Sequence, residues 1–138
     1  MEDISLHILD IAENSIRANA KNINILIQED KKNDILTLTI EDDGEGMDDK
    51  TKKNVISPFF TTKKGKKIGL GLAFLSQSAE EAGGAMKIES EPGIGTKITA
   101  TFRLGHIDRK PLGNLNETIK CLKVTHPEII LNYDYVKI

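Results

Sequence analysis

Apolar positions along the chain follow two periods. From Glu2 to Ala20, Ile4, Ile8, Ile11, Ser15 and Ala18 recur at steps of three and four, the spacing that lines one face of a helix. Lys21-Asn22 end that pattern. Ile23, Ile25 and Ile27 then alternate with Asn24, Leu26 and Gln28, a period of two that predicts a strand with one wholly apolar face. The polar run Lys31-Lys32-Asn33-Asp34 predicts a hairpin loop, and Leu36, Leu38 and Ile40 mark a second strand backed by Thr37 and Thr39. Glu41 to Asp49 is acidic with two glycines and predicts a loop. Asp48 is placed to cap a short helix starting near Asp49, which Ser57-Pro58 would end, because the residue before proline is pushed out of helical geometry. Phe59 to Ile68 is rich in lysine and aperiodic, which predicts a mobile loop. Leu70 to Ala82 reads as a helix stopped by Gly83-Gly84. Met86 to Glu91 reads as a strand, Pro92-Gly93-Ile94-Gly95 as a turn, and Thr96 to Leu104 as a strand whose Ile98, Ala100, Phe102 and Leu104 face inward.

The resulting order is helix, hairpin, helix, loop, helix, hairpin. It predicts an α/β sandwich: a mixed, mainly antiparallel sheet with helices on one face. Beyond Leu104 the signal weakens to a helix over Asn114 to Val124, with Leu115, Ile119 and Leu122 on one side, and a β-prone Ile129-Ile130-Leu131. At 138 residues, a single core needs no disulfide or metal to hold it. A net charge of -2 gives no pointer to nucleic acid or to an anionic membrane, although Lys63-Lys64-Gly65-Lys66-Lys67 is locally basic. The single cysteine, Cys121, rules out a disulfide within the chain and any multi-cysteine metal site. Met1-Glu2-Asp3 does not open a signal peptide, and no apolar run approaches the roughly 18 residues of a membrane span. The expectation is a cytoplasmic protein.

Four local patterns carry chemistry. Asp10 and Asn14, four apart, share a helical face; they are either a solvated polar stripe or a carboxylate–amide pair able to hold a water and a hydrated magnesium ion. Asp42-Asp43-Gly44-Glu45-Gly46 sits at a strand end, where glycines let backbone approach a ligand and an ionised Asp42 would accept from an exocyclic amine. The alternative is an acidic turn; the spacing of a calcium-binding EF-hand loop is not met. Ser57-Pro58-Phe59-Phe60-Thr61-Thr62-Lys63 is either a packed loop with solvated charge or the anchor of a lid whose lysines meet phosphate. Gly69-Leu70-Gly71-Leu72-Ala73 opens a helix, where unpaired N–H groups beside the positive dipole end suit phosphate. It is neither a P-loop nor a Rossmann turn.

In this order, the patterns resemble the ATP-binding domain shared by sensor histidine kinases, DNA gyrase, Hsp90 and MutL, the GHKL superfamily with its Bergerat fold. The N box is similar to Asp10-Ile11-Ala12-Glu13-Asn14-Ser15 and the G1 box to Asp42 through Gly46. The F box is similar to Pro58-Phe59-Phe60-Thr61-Thr62-Lys63 and the G2 box to Gly69-Leu70-Gly71-Leu72. The closing glycine turn is similar to Pro92-Gly93-Ile94-Gly95-Thr96. The resemblance covers about residues 4 to 104. It implies an ATP-binding domain over 1–104 and an extension over 105–138.

The resemblance also implies roles. Asn14 would hold Mg2+ and Asp42 would read adenine. Gly44, Gly46, Met47, Phe59, Thr61, Thr62, Lys63, Gly69, Leu70, Gly71, Leu72 and Thr96 would line the ATP site, with Phe59 to Ile68 as its lid. The F and G2 boxes look most like a histidine kinase catalytic domain. No phosphoacceptor hairpin precedes the domain in this chain, so a kinase of this type would act in trans on a protein partner. His7, followed by Ile8 where the family's acceptor histidine is followed by an acidic residue, reads as a helix histidine. A MutL-like ATPase is the second reading, with Asp10 as general base in the place of a glutamate one methylene longer. Glu13 is turned about 100° from that face and ranks below it. An anti-sigma-type serine kinase or an ATP-dependent binding module is the third.

Overall fold

The computed structural model describes residues 3–54 and 68–138, side chains at 54 and 68–70 excepted. Helix α1 spans Ile4–Arg17, shorter at both ends than the apolar stripe suggested. Its first turn explains the start. Asp3 caps it by accepting from Leu6 N–H, while the Ile4 and Ser5 N–H groups donate to the Pro111 and Leu112 carbonyls at 2.8 and 2.9 Å. Those orphan donors at the helix N-terminus are thus satisfied by a segment more than a hundred residues away in sequence.

Strands β1 (Asn22–Asp30) and β2 (Ile35–Asp42) form the predicted hairpin, in the register Ile25↔Ile40. Ile23, Ile25, Ile27, Leu36, Leu38 and Ile40 are all at most 2% exposed, so the period-two alternation is a buried face. Each such side chain is worth about 1.5–3 kcal/mol of burial. The short helix α2 covers Asp49–Asn54, and Asp48 Oδ1 accepts from Thr51 N–H as its cap at 2.7 Å. The expected stop at Ser57-Pro58 and the lid from Phe59 lie outside the described residues. Helix α3 spans Ile68–Glu81, so Ile68 belongs to a helix rather than to the loop expected there. β3 (Met86–Glu91) and β4 (Gly95–Arg103) match the second hairpin, with Leu104 just past the strand.

The sheet order is β3-β4-β2-β1-β5, antiparallel throughout except at its β1–β5 edge. β5 (Ile130–Lys137) and α4 (Leu115–Thr125, capped by Asn114) both come from the segment after Leu104. That segment adds a strand to the sheet and a helix to the layer above it, where α1 lies between α3 and α4. Leu131 of β5 and Ile119 and Leu122 of α4 join the same core cluster as Ile4, Ile8 and Ile11 of α1. The architecture is the expected α/β sandwich with a mixed, mainly antiparallel sheet.

Candidate functional site

The end of the sheet where β2 and β4 meet gathers five of the sequence-predicted residues, Asp42, Gly44, Gly46, Met47 and Thr96. Asp42 closes β2, opposite Thr96 of β4. Both its oxygens are held: Ser15 Oγ donates to Oδ2 at 2.6 Å, and the Gly44 N–H donates to Oδ1 at 2.9 Å. Ser15 is buried on α1, one residue past Asn14, so a single helical turn carries both the amide and the hydroxyl that fixes the carboxylate.

The neighbouring Asp43 does different work. It accepts from Lys21 N–H, Asn22 N–H and Asn22 Nδ2 at 2.7–2.9 Å, clamping the loop onto the start of β1. Those donors, led by the Asn22 side chain, hold its carboxyl down to about 2 from an ordinary 3.8. A folded pKa below the unfolded one means that stability is present in full above about 4 and is lost as pH falls towards 2. Asp43→Asn should therefore be less stable than the parent chain at pH 6, with the gap between the two closing as pH falls towards 2. Denaturant melts across that range check it; a gap that does not depend on pH would overturn the clamp.

Behind Asp42 the backbone is tightly interlocked. Gly46 has φ +73°, and a Cβ there would sit 2.0 Å from the Glu91 carbonyl oxygen. A Cβ at Gly95 would sit 2.1 Å from the Asp42 carbonyl oxygen. These two approaches exclude side chains at both positions. Gly93 N–H donates to Glu45 O at 2.7 Å, and Glu45 N–H to Ala18 O at 2.8 Å. Met47, packed on the core, donates its N–H to Ser90 Oγ at 2.8 Å; Ser90 Oγ also donates to Gly95 O and lies 2.8 Å from Thr96 Oγ1.

Asp10 and Asn14 lie one helical turn apart on α1, with Asp10 exposed and Asn14 half-buried. Helix α3 approaches them at Gly71: a Cβ there would lie 3.4 Å from Asp10 Cβ and 3.7 Å from Asn14 Nδ2. The N box and the G2 box therefore meet, and a longer side chain at 71 would cover both polar groups. Gly69 and Leu70 belong to the first turn of α3. Leu72 points the other way, 3% exposed in the core, so its side chain serves packing. Phe59, Thr61, Thr62 and Lys63 lie outside the described residues.

Two residues that the sequence pattern does not single out belong to this site. Arg17 Nη1 donates to Asn14 Oδ1 at 2.7 Å, bringing a cation beside the amide; the i,i+3 spacing on one helix is the signal that could have found it. Ser90 ties the β3 end, the Met47 loop and Thr96 together, and its role emerges only from contacts distant in sequence. Glu13 turns away from the site towards α4, its Oε1 2.9 Å from His126 Nε2. That agrees with its place off the Asp10–Asn14 face. His7 is a buried helix residue, 3% exposed.

Magnesium takes oxygen ligands and is usually shared with phosphates. The Asp10 carboxylate and the Asn14 amide oxygen, with a glycine opposite, are a donor set of that kind.

A sequence profile described as histidine kinase-, DNA gyrase B- and HSP90-like ATPase matches residues 2–106. Sporulation kinase C of Bacillus subtilis is 34% identical over 96 residues, covering 70% of this chain and 22% of that protein. The sensor histidine kinase ZraS of Salmonella typhi is 31% identical over 93 residues, covering 67% of this chain and 20% of its own length. The chain thus spans about a fifth of each relative. The ADP complex of the Aquifex aeolicus MutL ATPase domain superposes with a TM-score of 0.60 at 16% identity, over 98% of this chain and 60% of that one. The structural likeness covers α4 and β5, which the profile match does not reach.

Proposed function

Because this chain belongs to the family of histidine kinase-, DNA gyrase B- and HSP90-like ATPases, we propose that it binds Mg-ATP and acts as a histidine kinase-type catalytic domain. It would pass the γ-phosphate to a histidine on a protein partner. The observation that carries the nucleotide reading is Asp42, a carboxylate fixed by Ser15 and Gly44 N–H at the mouth of the β2–β4 strand pair. An ionised carboxylate only accepts, which matches an adenine amine that only donates. The kinase reading draws on the named relatives, which are sporulation and sensor kinases.

Asn14 would hold magnesium through its amide oxygen, and the ion when bound neutralises phosphate charge. Arg17, now donating to that oxygen, is placed to turn its guanidinium to phosphate instead. Gly71, having no side chain, lets α3 come close to Asp10 and Asn14 without covering either polar group. The lysines at 63–67 would add point charges from the lid.

Asn14→Ala is expected to weaken ATP binding about tenfold or more in magnesium and to change it little in EDTA, as read by calorimetry. Equal weakening in both buffers would remove Asn14 from the metal site.

Incubation with γ-labelled ATP and candidate partner proteins tests the transfer. Acid-labile, base-stable label on a partner supports phosphohistidine, whereas acid-stable label refutes it. The exposed position of Asp10, one turn from Asn14 and beside Gly71, favours a second reading, an ATPase with Asp10 as general base. Phosphate release with no labelled protein, lost in Asp10→Ala, would establish that reading in place of the kinase.

A further inference from the structure

The geometry points to Ser15 as the positioning residue that sets base specificity at Asp42. This rests on the proposal that Asp42 reads the 6-amino group of adenine. A carboxylate on a strand end can rotate about its last bond, and its acceptor directions rotate with it. Here two donors on opposite oxygens stop that rotation. The Gly44 N–H, two residues along the same loop, holds Oδ1 at 2.9 Å and moves with Asp42 itself. The Ser15 hydroxyl comes from α1, 27 residues away in sequence, and holds Oδ2 at 2.6 Å.

A hydroxyl has one proton to give. Ser15 Oγ also lies 3.3 Å from the Ile11 carbonyl, the usual outlet for a serine within a helix. The shorter contact goes to the charged acceptor, which is the stronger bond. Ser15 is 4% exposed, so water does not readily replace it. With one site used on each oxygen, about two of the roughly four acceptor positions of the carboxylate remain, in a plane that α1 determines. Because Asn14 precedes Ser15 on the same turn, the helix that carries the magnesium amide also sets the angle of the base-reading group.

The test compares ADP with purine riboside diphosphate, which lacks only the 6-amino group, on the parent chain and on Ser15→Ala. The parent should bind ADP more tightly. In Ser15→Ala the ADP affinity should fall about tenfold while that of the deamino analogue stays within twofold, so the preference collapses. Unchanged analogue binding also shows that the pocket is still folded. Should Ser15→Ala not fold, Ser15→Cys, of similar shape but a weak donor, should lower the same ratio. An equal loss for both nucleotides, or an unchanged ratio, would overturn the role of Ser15. A parent chain with no preference between the two would instead overturn the reading of Asp42.

Discussion

Asp42→Asn is expected to lower ADP and ATP affinity by about two orders of magnitude while leaving the melting temperature within a few degrees of the parent. The two outcomes separate because of where the donors sit. Three groups address this side chain: the Ser15 hydroxyl, the Gly44 N–H and, in the proposed complex, the adenine amine. A carboxylate accepts from all three. An asparagine has one oxygen, and its amide nitrogen donates. The Gly44 N–H cannot reverse, so the oxygen must stay with it. The serine hydroxyl can rotate and accept from the new amide. The folded state therefore keeps both contacts, and the lost partner is the base. A charge-assisted hydrogen bond is worth about 1.5–3 kcal/mol, and an N–H now competes with the incoming amine. Calorimetric titration together with a thermal melt gives both numbers. Wild-type affinity in Asp42→Asn would remove Asp42 from the pocket. A collapsed melt would mean that it serves folding.

Nothing local to Asp42-Asp43 separates the two carboxylates in the sequence; Asp42 was picked out by the likeness of Asp42 through Gly46 to the G1 box. The structure separates them by their donors: Asp42 accepts from the Ser15 hydroxyl and the Gly44 N–H, Asp43 from Lys21 and Asn22. Ile23, Ile25 and Ile27 foretold a buried face because period two is a direct image of strand geometry. Asp10 and Asn14 were legible on one face by the corresponding helical spacing. The unread parts are those set by contacts between distant segments. Nothing local to Ile130–Lys137 says that it pairs in parallel with β1, since β propensity names a strand and not its neighbour. Pro111 and Leu112 look like loop, yet their carbonyls finish the first turn of α1. Ser90 is an ordinary strand serine until the Met47 N–H and Thr96 are placed against it. Leu72 was read with the glycines beside it, but its side chain follows the helical stripe into the core.

Gly46→Ala and Gly93→Ala separate backbone strain from steric interlock, because the two glycines share a conformation and differ in surroundings. Their φ angles are +73° and +80°. An L-residue there costs roughly 1–2 kcal/mol from its own Cβ and carbonyl. At Gly93 a Cβ meets nothing within 4 Å, so that strain is the whole effect. At Gly46 the Cβ would stand 2.0 Å from the Glu91 carbonyl oxygen and 2.7 Å from its carbon, so one of the two chains must move. Neither moves alone. Gly93 N–H is bound to Glu45 O on one side of the contact, and Met47 N–H to Ser90 Oγ on the other. Separation strains or breaks both bonds, each worth about 0.5–1.5 kcal/mol. Gly46→Ala should thus lose about 3 kcal/mol or more in urea unfolding, and Gly93→Ala about 1–2. The displaced strand end also carries Ser90, the contact of Thr96 across from Asp42. ADP affinity should therefore fall in Gly46→Ala even where the protein remains folded, and hold in Gly93→Ala. Equal destabilisation by the two substitutions would mean that the acidic glycine loop does not lock against the β3–β4 turn as the structure shows.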